Sequence, residues 1–325
     1  MGDILIEKRE NSVTRLNHLK ASLQPLQELQ DLKSMTVFVA GSYARNEASI
    51  YSDIDLFFVF DGNLKDLSNP NIRSLRAFAR IIEESDSLGF PAFSNDGEFL
   101  KVLEAPEIMR ELGGRNDDYL NYFTARMLML LESVPIYGED TYQHVVREII
   151  DAYFRDYSHH PKEFRPIFLI NDILRFWKTL CLNYENKRNQ PETERDRKVK
   201  QKIKNFKLKF SRMLTCFGSI SAIANLAPNS GPEQIMNLGR LTPFERLQET
   251  VGERKMMHRE FEALTDDYRW FLEITNVSEE DLLQQFHHKD FREDAFQRAE
   301  RFGDNMYAIV REIAEETGYL RYLVI

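Results

Sequence analysis

MTVFVAGSYARNEASIYSDIDLFFVF, residues Met35 to Phe60, contains two apolar runs separated by a polar stretch. Val37-Phe38-Val39-Ala40 reads as a buried strand, and Gly41-Ser42 breaks it. Ten residues later come Ser52-Asp53-Ile54-Asp55 and the second run, Leu56 to Phe60. Asp53 and Asp55 are two apart, so on a strand both carboxylates share one face. Neighbouring carboxylates repel unless a cation lies between them. A hard ion such as Mg²⁺ takes one or two carboxylates and fills its shell with water and phosphate oxygens. Gly41, without a Cβ, lets backbone approach a phosphate, and the Ser42 hydroxyl can bond phosphate oxygens. Tyr43 to Ala48 reads as a short helix whose N-terminus favours anions. Arg45 within it can reach phosphate or pair with Glu47 or another acid. Together these parts imply a metal-nucleotide site. The alternative is a tight turn before a solvated strand end.

Gly41-Ser42, then Asp53-Ile54-Asp55 after about ten residues, each beside an apolar strand, resembles the nucleotidyltransferase superfamily with the DNA polymerase β catalytic fold. The motif spans residues 36 to 60, and the order of elements extends the likeness to about residue 140. The resemblance implies that Asp53 and Asp55 hold Mg²⁺ or Mn²⁺, with an NTP as donor. It also implies a third carboxylate on a later strand, as ligand or base. Glu98 is the first candidate, starting a strand beside the Ser94-Asn95-Asp96-Gly97 turn; Asp96 is second and Glu104 third. Phe123 to Ser133, followed by Gly138 and a helix, is similar to the segment after the catalytic domain of the protein-PII uridylyltransferases. That similarity implies a protein acceptor. Transfer to a small molecule, to RNA or between nucleotides stays open.

Composition narrows the class. The chain has 325 residues, 42% of them hydrophobic, enough for one large or two medium domains with a real core. Two cysteines, Cys181 and Cys216, exclude a disulfide framework and read as buried thiols. No N-terminal stretch resembles a signal peptide and no apolar run reaches membrane-spanning length, so the chain is expected to be cytoplasmic with no membrane partner. A net charge of −9 argues against nucleic-acid binding by the surface as a whole.

Before the motif, Ile4 to Leu32 is expected to be helical, broken near Pro25, with Val13, Leu16, Leu19 and Leu23 facing the sheet. After it, Asn71 to Ser87 reads as a helix with Ile72, Leu75, Phe78, Ala79 and Ile82 inward. Glu98 to Leu103 reads as the third strand. Asp117 to Ser133 is apolar nearly all round and therefore buried, so Arg126 within it must be paired or face a cleft. Pro135 to Gly138 is expected to end the unit.

From Thr141 the chain reads as helical. His159-His160 lacks a third ligand at metal spacing and reads as loop. Pro166 to Tyr184 is a long helix with Ile170, Ile173, Leu174, Trp177, Leu180, Cys181 and Tyr184 inward. Arg175 and Lys178 lie on its polar stripe, where they can meet a triphosphate or form surface ion pairs. Lys187 to Arg212 carries eleven Lys/Arg against three acids, a net +8, leaving −17 for the remainder. Residues 198–214 form an amphipathic helix with Val199, Ile203, Phe206, Phe210, Met213 and Phe217 on one stripe. Its basic face is either solvated or a surface for triphosphate, RNA or an acidic protein, with Lys204 and Lys207 the candidates for reaching nucleotide. Ser219 to Thr242 reads as loop-rich, and the remainder as four helices.

The expected architecture is α+β. A catalytic domain at about residues 1–140 has a small mixed sheet with flanking helices, and an all-helical domain at 141–325 closes the cleft. The expected reaction is metal-dependent transfer of a nucleoside monophosphate to an acceptor hydroxyl, with pyrophosphate leaving. Two readings of other classes compete with it. One is a catalytically inert relative that binds nucleotide or a partner. The other is an RNA-binding protein that uses the basic helix, whose affinity would survive loss of Asp53.

Overall fold

In the computed structural model the two apolar runs become β1, Met35–Ala40, and β2, Asp55–Phe60. They pair antiparallel, from Met35 opposite Phe60 to Ala40 opposite Asp55. The structure describes residues 3–93, 100–159, 161–162, 164–189, 196–252 and 254–324. The chain divides into two compact units, Met1–Arg155 and Asp156–Ile325.

The first unit is built on a four-stranded mixed sheet, in the order β3-β2-β1-β4. β3, Val102–Glu104, runs parallel to β2, and β4, Ser133–Tyr137, runs antiparallel to β1. Its helices are α1 (Ile4–Leu23), α2 (Gln27–Gln30), α3 (Pro70–Ser87), α4 (Ala105–Arg110), α5 (Tyr122–Leu131) and α6 (Glu139–Tyr153). On one sheet face Met35, Val37, Val39, Leu56, Phe58 and Phe60 pack with leucines of α1 and α2 and with Ala77, Phe78 and Ile81 of α3. On the other, Phe38 stacks on Phe57 at 5.3 Å and meets Tyr142 of α6 at 6.2 Å. Coverage of both faces is why these strands are apolar at nearly every position rather than alternating.

Several local expectations need correction. No helix forms over Tyr43–Ala48; turns run to Asn46, which lies in the left-handed region, and Glu47-Ala48 are irregular. α3 turns a different stripe inward: Ser74, Ala77, Phe78, Ile81 and Ser85 are buried, while Ile72 and Leu75 are exposed. Small side chains let α3 approach closely, and the Phe78 ring meets Phe58 edge-on at 4.7 Å. Buried Ser74 satisfies its hydroxyl by donating to Pro70 O at 2.9 Å. On α1, Val13 is exposed, and Lys8 and Ser12 join Leu16, Leu19 and Leu23 inside.

Sequence pattern also misses β4. Pro135 has no N–H for a ladder, which argues against a strand. Here β4 is an edge strand, and its register with β1 shifts between Val37 and Phe38, opposite Tyr137 and Pro135, so the proline is accommodated. Arg126 on α5 is buried and paired. Asp117 takes both terminal nitrogens, at 3.0 and 2.8 Å, Ile108 O accepts one of them at 3.2 Å, and Tyr153 Oη accepts from Nε at 3.0 Å.

All described regular structure in the second unit is helical: α7 (Ile167–Arg188), α8 (Arg197–Lys207), α9 (Met213–Ala224), α10 (Pro232–Gly239), α11 (Pro243–Val251), α12 (His258–Ile274), α13 (Glu279–His287), α14 (Lys289–Thr317) and α15 (Leu320–Val324), with a short 3-10 turn at Lys255–Met257. α9 and α10 occupy much of the stretch expected to be loop-rich. α8 and α9 form one helical run joined by a π turn, Leu208–Arg212. That turn shifts the buried stripe from Ile203, Phe206 and Phe210 to Leu214, while Met213 and Phe217 are only half-buried. Phe206 and Phe210 anchor the core: Phe210 stacks on Phe271 at 4.7 Å, and Phe206 meets Phe286 at 5.3 Å. α7 buries Leu169, Ile170, Asp172, Ile173 and Phe176, but Trp177, Leu180, Cys181 and Tyr184 lie only half inside. Ser278 and Thr242 cap α13 and α11 by accepting from Asp281 N and Glu245 N. No described helix is long and apolar enough to cross a membrane. A small mixed sheet with helices followed by a helical remainder is the α+β arrangement expected.

Candidate active site

One end of the sheet collects the motif. β1 ends at Ala40, opposite Asp55 on β2 and Ser133 on β4, so Gly41, Asp55 and the start of β4 are neighbours. Gly41 has φ +73, a conformation that L side chains rarely adopt. A Cβ placed on it would lie 2.7 Å from Asp55 Oδ2. The backbone conformation favours glycine here, and a larger residue would also push the Asp55 carboxylate aside. Asp55 is half-buried, Asp53 is exposed just before the strand, and Ser42 is half-buried. Carboxylates at and just before a strand end, beside a glycine, are hard oxygen donors of the kind a divalent cation takes.

The turn after Gly41 is held from three sides. Arg45 N donates to Gly41 O at 3.1 Å, and Glu47 N donates to Ser42 O at 2.8 Å. Of the two roles open to Arg45, the geometry has the ion pair: its guanidinium bonds Glu47 Oε2 at 2.9 Å and Glu132 Oε2 at 2.8 Å. The three side chains are 7%, 6% and 0% exposed, so this is an internal strut between the turn and the start of β4. α1 fastens the following loop. Asn11 donates to Ala48 O at 3.0 Å and Ser12 Oγ accepts from Ala48 N at 3.2 Å, while Arg15 ties α1 to the end of α3 by donating to Gly89 O at 2.9 Å. Ser52 Oγ accepts from Ser49 N at 2.9 Å, closing the loop before Asp53.

Two titratable groups are shifted beside this loop. Burial lowers the Lys8 ammonium to about 8, against the opposing pull of Glu7 and Glu47. Burial pushes the Tyr43 phenol up to about 12; Arg15 acts against that and Asp53 adds to it. Tyr43 packs on Phe90 at 5.4 Å, and its hydroxyl has no partner among the described residues.

The other candidates divide. Glu98 and Asp96 lie outside the described residues. Glu104 is displaced from the motif: it pairs with Phe60, at the opposite end of β2 from Asp55, and its Oε1 accepts from Leu64 N at 2.6 Å. A separate cluster of Asp61, His144 and Glu148 brings three ligand atoms within 4.8 Å of one another, with an imidazole nitrogen 3.6 Å from Asp61 Oδ2. It follows Phe60, roughly 20 Å along the strand from Asp55 at the usual rise, and is not part of the motif end. In the helical unit Arg175 pairs with buried Asp172 at 3.5 Å. Lys178, Lys204 and Lys207 are exposed.

The sequence reading missed Glu132, Lys8, Asn11, Ser12 and Arg15. Four of them were legible as a polar stripe on α1 at spacings of three and four, running beside the leucine stripe. Glu132 carries no local signal, since its role depends on the pairing of β4.

Residues 22–130 match the family model for the nucleotidyltransferase domain. No curated protein matches the chain. The matched span runs through β1, β2, α3, β3 and most of α5, takes in Gly41, Ser42, Asp53 and Asp55, and stops short of the helical unit.

Proposed function

From the nucleotidyltransferase domain at residues 22–130, we propose that this chain transfers a nucleoside monophosphate from an NTP to an acceptor hydroxyl. The observation that carries this reading is the 2.7 Å approach between a Cβ position on Gly41 and Asp55 Oδ2, inside the matched span. Asp53 and Asp55 are the proposed cation ligands. Mg²⁺ or Mn²⁺ bound there supplies neutralisation of charge on the triphosphate. The Gly41-Ser42 backbone and the Ser42 hydroxyl face the phosphates. Arg45, through Glu47 and Glu132, keeps that turn in place.

In the reaction the acceptor oxygen bonds to the α-phosphorus, and the bridging bond to the β-phosphate breaks. Pyrophosphate leaves with the electron pair. The hydroxyl proton passes to a carboxylate, for which the sequence offers Glu98. We assign catalysis to the first unit, Met1–Arg155, which keeps α6 with the sheet and so extends past the boundary near residue 140 expected from sequence. The proposed acceptor is a protein or a small molecule.

The test is incubation with each α-labelled NTP and Mg²⁺ or Mn²⁺, with and without cell extract. Asp53→Ala/Asp55→Ala runs alongside. Label moving to an acceptor, and falling by about a hundredfold or more in the variant, supports the reading. Metal-dependent binding without transfer moves it to an inert nucleotide-binding relative, and absence of both overturns it.

A further inference from the structure

The end of β2 away from the motif meets α6, and there the two elements bring three ligand-bearing side chains together. Asp61 directly follows Phe60, the last residue of β2, while His144 and Glu148 stand four apart on α6 and so share one face of that helix. One ligand atom from each lies within 4.8 Å of the other two. A single imidazole nitrogen, His144 Nε2, stands 3.6 Å from Asp61 Oδ2 and 3.8 Å from Glu148 Oε1. Both separations are too long for a hydrogen bond. They are close to what one ion between these atoms requires: metal bonds of about 2.0 to 2.2 Å at tetrahedral angles hold ligand atoms about 3.3 to 3.6 Å apart. Closing the remaining gap asks only for small side-chain rotations. The supports are fixed. Asp61 N donates to Ser34 O at 2.8 Å. α6 buries Tyr142, Val145, Val146, Ile149 and Ile150, and Tyr142 meets Phe38 of β1 at 6.2 Å.

We propose that Asp61, His144 and Glu148 bind a divalent transition-metal ion of the Zn²⁺ class. The donor set is mixed, one imidazole nitrogen with two carboxylates. Mg²⁺ and Ca²⁺ take oxygen ligands, whereas imidazole suits Zn²⁺, Ni²⁺ and Cu²⁺. This site therefore differs in preference from the all-oxygen pair Asp53 and Asp55. It also stands a strand's length from them, roughly 20 Å at the usual rise, so the two cannot share an ion. An ion held here neutralises two neighbouring carboxylates and links the residue after β2 to a helix far along the chain. Its role is to fasten α6 to that end of the sheet, and three protein ligands leave a position for water. A protonated imidazole paired with the two carboxylates would use the same atoms but bind no metal.

The test is titration of the full chain carrying Asp53→Ala/Asp55→Ala, in excess Mg²⁺. Zn²⁺ is titrated against a chromophoric chelator, and Co²⁺ is followed by its visible d–d absorption. Removing the motif carboxylates makes this inference and the transferase reading fail separately. One equivalent of each ion is expected to bind, and saturating Zn²⁺ should raise the Tm by about 4 °C or more. His144→Gln, Asp61→Asn and Glu148→Gln, each added to that background, should weaken Zn²⁺ binding by about tenfold or more, since losing even a partner behind a metal ligand costs that much. They should also remove most of the Tm shift, and His144→Gln should remove the Co²⁺ band. All three side chains reach the surface, so these changes are expected to leave the fold intact, which circular dichroism checks. His287→Gln is the control: that imidazole pairs with Asp196 at 3.1 Å, and its loss should leave the titration unchanged. Absence of Zn²⁺ binding overturns the site and leaves His144 as an ion-pair partner. Binding that survives His144→Gln, or that His287→Gln weakens equally, overturns it too. So do several weak equivalents displaced by Mg²⁺, the mark of an adventitious surface ion only.

Discussion

Gly41 and Asp55 face each other across the end of β1 and β2 so closely that a methyl group on Gly41 would fall 2.7 Å from Asp55 Oδ2. The contact is with the far end of a side chain that can rotate, so the carboxylate yields before the backbone does. Gly41→Ala also places alanine at φ +73, which costs on the order of 1 kcal/mol. Gly41→Ala is expected to lower transfer activity by about tenfold or more, with a stability loss of only about 1 to 2 kcal/mol. In an Asp55→Ala background the same change should remove little further activity. Turnover and denaturant midpoints across the four proteins check this, and additive effects on activity would count against the contact.

A different economy governs Arg126 and Asp117. Both side chains are fully buried, and the guanidinium has its donors directed to Asp117, Ile108 O and Tyr153 Oη. Burial opposes the Arg126 charge, but the hydrogen bonds it donates to Asp117 and Tyr153 outweigh it and raise its pKa. Breaking one side of such a pair strands the other charge in the core. Asp117→Asn is expected to destabilise the chain by about 3 to 5 kcal/mol, and Arg126→Met/Asp117→Leu by much less than the two single changes together. Chemical denaturation of the four proteins decides it; a loss under about 1 kcal/mol in Asp117→Asn would show the pair to be dispensable.

What the sequence could disclose follows the range of each interaction. Gly41, Ser42, Asp53 and Asp55 could be proposed from sequence because their chemistry and spacing sit within one strand-turn-strand stretch. Arg126 was legible as a problem, a charge in an apolar helix, but Asp117 as its solution was not. β4 was hidden because Pro135 is tolerated only at an edge with a register shift, and edge position is a property of the whole sheet. The inward face of α3 was misread because Ser74, Ala77 and Ser85 are chosen for closeness of approach rather than hydrophobicity. Tyr184, expected in the core, lines a cavity with Phe296, more than a hundred residues away in the chain.

Tyr43 provides a third prediction. Its ring is fully buried against Phe90, yet its hydroxyl is unpartnered among the described residues. A buried hydroxyl without a hydrogen bond is destabilising by roughly 1 to 3 kcal/mol. Tyr43→Phe, which keeps the ring and removes the oxygen, is therefore expected to raise stability by about 1 kcal/mol and leave the KM for NTP unchanged. A lower denaturation midpoint, or a KM that rises severalfold, would show that the hydroxyl bonds water or substrate.

Lys8 sets the last prediction, a pH dependence. It is 2% exposed on α1, and burial lowers its ammonium from 10.5 to about 8 in the folded chain. Below about pH 8 both folded and unfolded chains carry this proton, and the fold bears the full penalty of a buried charge. As pH rises from about 8 towards 10.5, the folded chain releases the proton first while the unfolded chain still holds it. Stability contributed by this site therefore increases with pH across that window. A shift of this size corresponds to a penalty on the order of 3 kcal/mol at neutral pH. Tyr43 works in the opposite sense from pH 10 upwards, because its folded value near 12 keeps a proton that the unfolded chain has lost. The clean interval is thus pH 8 to 9.5. There the parent is expected to gain stability relative to Lys8→Met, by about 1 to 2 kcal/mol in urea denaturation. A difference between the two proteins that stays flat over this interval would mean that Lys8 keeps an ordinary ammonium in the fold.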